Sequence, residues 1–156
     1  MLNTFRFLLL ISMAVWVGML IFFTFFVTPS IFKVLPRELA GELVGALFPK
    51  YWMIGYAAGV LSLLSIIVIS LIEKSFPTAV LSLVALMTAL TFYSGLVVGA
   101  KAMTMSAEMR SMQDPVKKEE MRASFKKIHA ESAAINLAVM AGGVTVIFFI
   151  SRNLRL

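Results

Sequence analysis

Four stretches of this chain are apolar almost without interruption, and its charged residues are gathered between and around them. The runs cover roughly residues 7–27, 51–72, 76–100 and 133–151. A helix needs about 20 residues to cross roughly 30 Å of hydrocarbon, and each run has that length. Strands of a membrane β-barrel would alternate polar and apolar positions, which these runs do not. The pattern therefore predicts an all-α membrane protein: a four-transmembrane-helix bundle forming a single domain over 1–156, with helices over about 5–28, 51–73, 76–112 and 115–151. The first run follows one arginine, as a secretory signal would. Its apolar core is too long for one, and no small-x-small cleavage site follows before "FVTPSIF", so it reads as a retained helix.

The third run does not stop where its apolar character does. "KAMTMSAEMRSMQ" contains helix formers and neither Gly nor Pro. The break falls at Asp114-Pro115, an N-cap residue followed by a residue suited to the first helical position. A helix from 115 to 151 would be roughly 55 Å long at about 1.5 Å per residue, well beyond what the bilayer requires. Helices three and four are thus expected to form a long hairpin that projects from the membrane.

The loop between the first two helices has a pattern of its own. In "LPRELAGELVGALFPKYW", Leu39, Leu43 and Leu47 recur every four residues, with Glu38 and Glu42 on the adjacent face. Bounded by Pro36 and Pro49, this predicts a short, separate helix lying in the membrane interface.

Composition agrees with this picture. Of 156 residues, 60% are hydrophobic and only 14% charged, and the mean hydropathy is +0.95, outside the range of soluble domains. The absence of cysteine excludes disulfides, thiolate metal sites and cysteine nucleophiles. A net charge of +6 would suggest nucleic acid in a soluble protein, but here its placement matters more, and nucleic acid is not an expected partner. Lys33, Arg37, Lys50, Lys101, Arg110, Lys117, Lys118, Arg122, Lys126 and Lys127 fall on one side of the bundle. Arg6, Lys74, Arg152 and Arg155 fall on the other. By the positive-inside rule both termini are expected to be non-cytoplasmic.

On helix four, Met121, Phe125, Ile128, Ser132, Ile135 and Val139 recur at intervals of three and four, a packing seam. Arg122, His129 and Asn136 recur every seven residues along its edge. His129, the one histidine, is therefore expected beside a helix interface near the membrane boundary. One reading makes it an interface or capping group bonded to a neighbouring helix end or to Glu131. The other makes it a ligand, proton-transfer or substrate-contact group, since polar groups in a membrane bundle are costly unless used. The only polar site the pattern builds combines His129, Arg122, Asn136, Ser132, Glu131, Arg37, Glu38 and Glu42, with Tyr51 and Tyr93 nearby.

Met105, Met109 and Met112 share a face of the hairpin, where thioethers either fill gaps between helices or bind soft Cu(I); they are the metal candidates. Gly55 and Gly59, Gly95 and Gly99, and Ala134, Ala138 and Gly142 stand four residues apart, a spacing that lets helices approach closely. Thr24, Thr28, Thr88, Thr91, Tyr93 and Ser94 supply hydroxyls for a small polar cavity, or bond back to their own helices.

"WVGMLIFFTFFVTPSIFKVLPRELAGELVGALFPKYW", followed downstream by "RASFKKIHAESAAINL", resembles the transmembrane protein 205-like family over most of the chain. The shared features are a Trp-x-Gly in helix one, a Pro and a Phe at its end, an Ala-Gly pair, a Phe-Pro-x-Tyr entering helix two, and an Arg, His and Asn series leading into the last helix. The resemblance makes Trp16, Gly18, Pro29, Phe32, Ala40, Gly41, Phe48, Pro49, Tyr51, Arg122, His129 and Asn136 signature positions. It implies a four-helix membrane protein and supplies no reaction. Helix one is more distantly similar to CopD-type copper-resistance and HemJ-type haem-biosynthesis membrane proteins, which carry a histidine about two turns before the Trp-x-Gly. Leu9 stands there in this chain, against a haem or copper site.

No nucleophile elbow, Gly-rich phosphate loop or Glu-x-x-His metal motif occurs, and no cofactor is required by the sequence. The leading expectation is non-enzymatic binding, export or trafficking of a small solute or metal species. One alternative is a haem- or copper-dependent membrane redox protein. Another is a structural subunit that docks a partner protein through its basic hairpin; an oligomer is also compatible with the sequence.

Overall fold

The computed structural model describes residues 1–152; Arg155, counted above with the smaller cationic set, lies outside them. Within that range the protein is all helix, in four long elements: α1 (Leu2–Val34), α2 (Arg37–Glu73), α3 (Thr78–Ser111) and α4 (Pro115–Arg152). Each is long and apolar enough to cross a membrane. Only helices with every backbone bond made internally can do so in lipid, and the protein is a multi-pass membrane protein.

Two helices are locally widened. α1 is π-helical over Phe23–Val27 and α3 over Ser94–Gly99. The first π turn explains why α1 does not end near residue 28, as expected, but continues through Pro29 to Val34. Proline lacks an N–H and its ring meets the carbonyl four residues back in an α-helix. Here the ladder is already offset, with the Thr28 N–H reaching back five residues to the Phe23 carbonyl.

The segment after Pro36 is helical, as its leucine spacing predicts, but it is not a separate element. It is the first third of α2, which runs through Pro49. Pro49 costs one backbone bond, and tertiary contacts on both sides outweigh that loss. Ala40 and Val44 are buried before it, and Tyr51 and Trp52 after it. Phe48 stacks on Trp52 at 5.2 Å and meets Tyr51 edge-on at 5.9 Å, bracketing the proline with aromatic contacts. Leu39 and Leu43 point outward from this segment. α2 stops at Lys74, whose left-handed backbone (φ 51°) directs its N–H to the Ser70 carbonyl.

The α3–α4 hairpin forms at the residues expected. The Asp114 carboxylate accepts the N–H of Val116 at 2.9 Å and of Lys117 at 3.4 Å, capping α4 just ahead of Pro115. The seam predicted on α4 is the face it packs, with Ile128 and Val139 buried and Met121, Phe125, Ser132 and Ile135 half-buried. Met105, Met109 and Met112 are half-buried on the facing arm of the hairpin.

Glycines in the bundle act as sockets for large side chains. Cβ atoms at Gly95 and Gly99 would stand 2.8 Å from Trp52 Cγ and 2.0 Å from Trp52 Cη2, inside atoms already there. One at Gly59 would stand 3.0 Å from Trp16 Cη2. In lipid, where apolar contact with a helix gains little over apolar contact with an acyl chain, such close packing supplies most of the association energy. On α4 the four-residue spacing does not mark the close contact: Ala134 and Ala138 are exposed, and the socket is Gly142 with Gly143, against Met87 and Val17. Trp16, Met13, Val84, Met87, Val139 and Val146 form the centre of the core.

Candidate functional site

The two π turns face the same place. There, α1 offers Thr24, α2 offers Tyr51, Trp52 and Gly55, α3 offers Thr91 and Ser94, and α4 offers Asn136. Thr24 lies in the π turn of α1 and Ser94 opens that of α3. Single π turns inside α-helices recur at functional sites because they redirect side chains and free backbone groups.

Asn136 holds this site together. Its side-chain carbonyl accepts the Tyr51 hydroxyl hydrogen, and its amide nitrogen donates to Thr24 Oγ1 at 2.9 Å. One side chain thus links α1, α2 and α4 in a low-dielectric setting, where leaving any partner alone would be costly.

Beside this network lies a cavity of about 10 Å³, lined by Trp16, Tyr51, Thr91, Ser94 and Asn136 together with apolar neighbours. That volume holds one water-sized group. Trp16 is fully buried, with its ring along Gly55 and Gly59; its Nε1 would be 3.7 Å from a Cβ on Gly55, which also lines the cavity. The Trp16 N–H has no hydrogen-bond partner. Most buried indole N–H groups find one, so an unpaired donor at a cavity wall marks this position.

A second polar group lies further along the α1–α2 interface. Ser12 and Ser62 share a 2.7 Å hydrogen bond between their hydroxyls, while the buried Ser65 hydroxyl has no partner. Serines at helical spacing inside otherwise apolar runs were the available signal for this group.

The predicted site divides. Asn136 and Tyr51 enter the polar network. Tyr93 does not face it; its hydroxyl donates to Glu131 Oε1 at 3.0 Å on an exposed surface. Arg122 pairs with Glu119 at 3.2 Å, one turn back on its own helix. Glu42 approaches Arg110 at 3.8 Å, so the start of α2 meets the α3 arm of the hairpin instead of His129. Arg37 and Glu38 are exposed and Ser132 is half-buried. His129 is exposed, its ring stacked on Phe125 at 6.5 Å, where a place beside a helix interface was expected. Arg122, His129 and Asn136 share one edge of α4, and of the three it is Asn136 that α1 and α2 reach, through Thr24 and Tyr51.

Of the hydroxyls proposed for a cavity, Thr24, Thr91 and Ser94 are at the site. Thr88 and Thr91 donate back to Val84 O at 2.8 Å and Met87 O at 2.9 Å. The remaining signature positions separate by environment. Ala40 is buried and Phe48 packs on the core, but Pro29, Phe32 and Pro49 are exposed. Gly18 and Gly41 are also exposed, with nothing within 4 Å of where a Cβ would stand. Among the described residues no three His, Asp or Glu side chains are grouped as a metal would require.

Residues 11–111 match the model of a family described as a domain of unknown function, DUF4149. The matched segment contains Trp16, Thr24, Tyr51, Thr91 and Ser94 and ends before Asn136. No curated protein and no solved structure matches the chain.

Proposed function

The chain belongs to the DUF4149 family, a domain of unknown function, and we propose that it handles a small solute or metal species within a membrane-spanning four-helix bundle, without chemical conversion. The observation that carries this reading is the Thr24–Asn136–Tyr51 network beside a cavity lined by the buried Trp16, whose indole N–H is unpaired. Polar groups placed this deep between apolar helices are expensive unless they meet a partner. Two π turns at the same level support the reading, since they are the parts of α1 and α3 least tied to a regular ladder. The likeness of the Trp16, Tyr51 and Asn136 segments to transmembrane protein 205-like proteins also supports a membrane role without an assigned reaction. The excess of Lys and Arg around the hairpin supports a cytoplasmic hairpin with both termini on the opposite side.

The test is a flux measurement. Liposomes containing the protein are shocked with formamide, urea or glycerol, and re-swelling is followed by light scattering. The expected result is entry of at least one probe several times faster than into protein-free liposomes, with the excess lost in Asn136→Leu. Equal rates with and without protein for all three probes, or an undiminished rate in Asn136→Leu, would overturn the reading.

A further inference from the structure

We infer that the cavity beside Trp16 selects an uncharged hydrogen-bond acceptor, with the Trp16 N–H and the side-chain amide of Asn136 as its two donors. This rests on the solute-handling reading above and narrows it to one chemical class.

The free hydrogen-bonding valences around the cavity set what it can hold. The indole N–H of Trp16 can only donate, and it has no partner. Asn136 uses its carbonyl for the Tyr51 hydroxyl and one of its two amide hydrogens for Thr24. One amide hydrogen is left over. Tyr51 has committed its only hydrogen to Asn136, and Thr91 has committed its own to the Met87 carbonyl. Ser94 also lines the cavity and its hydroxyl can both donate and accept, whereas the uncommitted hydrogens of Trp16 and Asn136 can only donate. What completes them is a lone-pair oxygen.

Charge limits the choice further. None of the residues lining the cavity is ionisable near neutral pH, Tyr51 being a hydrogen-bonded phenol. A cation would face two positive dipole ends with no carboxylate to balance it. An anion would meet the donors, but with no Lys or Arg to offset the cost of leaving water. Copper would find a single thioether, Met19, and no imidazole or thiolate. An uncharged solute oxygen, carried by a carbonyl or an alcohol, satisfies both donors without that cost. A volume of about 10 Å³ matches one such atom.

The indole N–H can be followed directly. The chain has two tryptophans, so in 15N-labelled protein in detergent micelles, Trp52→Phe assigns the Trp16 indole resonance by elimination. Formamide, potassium chloride and Cu(I) are the probes. Formamide is expected to move the Trp16 N–H and an Asn136 side-chain amide resonance together and saturably, while potassium chloride and Cu(I) leave both in place. Trp16→Phe keeps a flat ring on Gly55 and Gly59 but removes the donor; it should weaken the formamide effect on Asn136 by up to about tenfold, the scale of one hydrogen bond.

A larger response to chloride or Cu(I) than to formamide would overturn the inference. So would a Trp16 N–H that exchanges with an internal water and ignores formamide. If Asn136 alone responds, the solute site stands and the role given to Trp16 fails. If neither resonance moves with any probe, the solute-handling reading fails with it.

Discussion

The side-chain amide of Asn136 donates to the Thr24 hydroxyl across 2.9 Å, joining the last helix to the first between residues 112 positions apart. Because Asn136 also accepts from Tyr51, one substitution releases two helices at once. Asn136→Leu fills similar space while leaving a phenol and a threonine hydroxyl to find other partners. It should lower stability by about 1–3 kcal/mol, the cost of stranding a buried polar group. Tyr51→Phe keeps the ring among Phe23, Phe48 and Asn136 and should cost less, about 0.6 kcal/mol by the average for interhelical bonds in membranes. Unfolding of the purified protein in mixed detergent and SDS micelles, followed by far-UV circular dichroism, ranks the two. A larger loss in Tyr51→Phe would contradict this account of the network.

Two glycines should behave in opposite ways. Gly99→Ala would place a methyl 2.0 Å from Trp52 Cη2, on a ring already stacked against Phe48. Overpacking of this kind costs about 1–3 kcal/mol or more. Gly18→Ala meets nothing within 4 Å and should gain up to about 1 kcal/mol, since alanine favours helix over glycine. The same SDS unfolding assay separates them, and equal effects would mean that Trp52 does not occupy the Gly99 socket.

His129→Ala should leave stability within about 0.5 kcal/mol of the parent, as surface substitutions do. The ring is exposed and stacks on Phe125, four residues back on the same helix. Formamide entry in the liposome assay should likewise be unchanged in His129→Ala and lost in Asn136→Leu. A His129→Ala protein that folds normally but loses flux would move the functional site from the Asn136 network to the hairpin.

The orientation of the bundle can be tested without background labelling, because the chain contains no cysteine. Lys117→Cys places one thiol at the hairpin turn, and Ser75→Cys places one between α2 and α3. In intact cells an impermeant maleimide should label Ser75→Cys and reach Lys117→Cys only after the membrane is opened. The reverse pattern would put the basic hairpin outside, against the positive-inside rule.

By itself the sequence determined that this protein is four membrane-spanning helices with a capped hairpin. Helix length and apolarity set the spans, and Asp114 with Pro115 set the turn. These are local properties: hydrogen bonds within one helix and transfer into lipid depend on the residues of that helix alone. The α4 packing face was legible for the same reason, since a period of three and four survives whatever lies opposite. Folding decided the rest. Pro49 reads as a boundary locally and is overridden by Phe48 and Tyr51, which pack on Phe23 of α1 from either side of it. The π turns carry no mark in "FTFFV" or "SGLVVG", because they arise where side-chain packing wins over an even ladder. Asn136 and Tyr51 could be singled out from sequence, but not as partners of Thr24 or as neighbours of the Trp16 N–H. Their meeting depends on how four helices rotate about their axes, and that rotation is fixed by which side chains fit which glycine sockets.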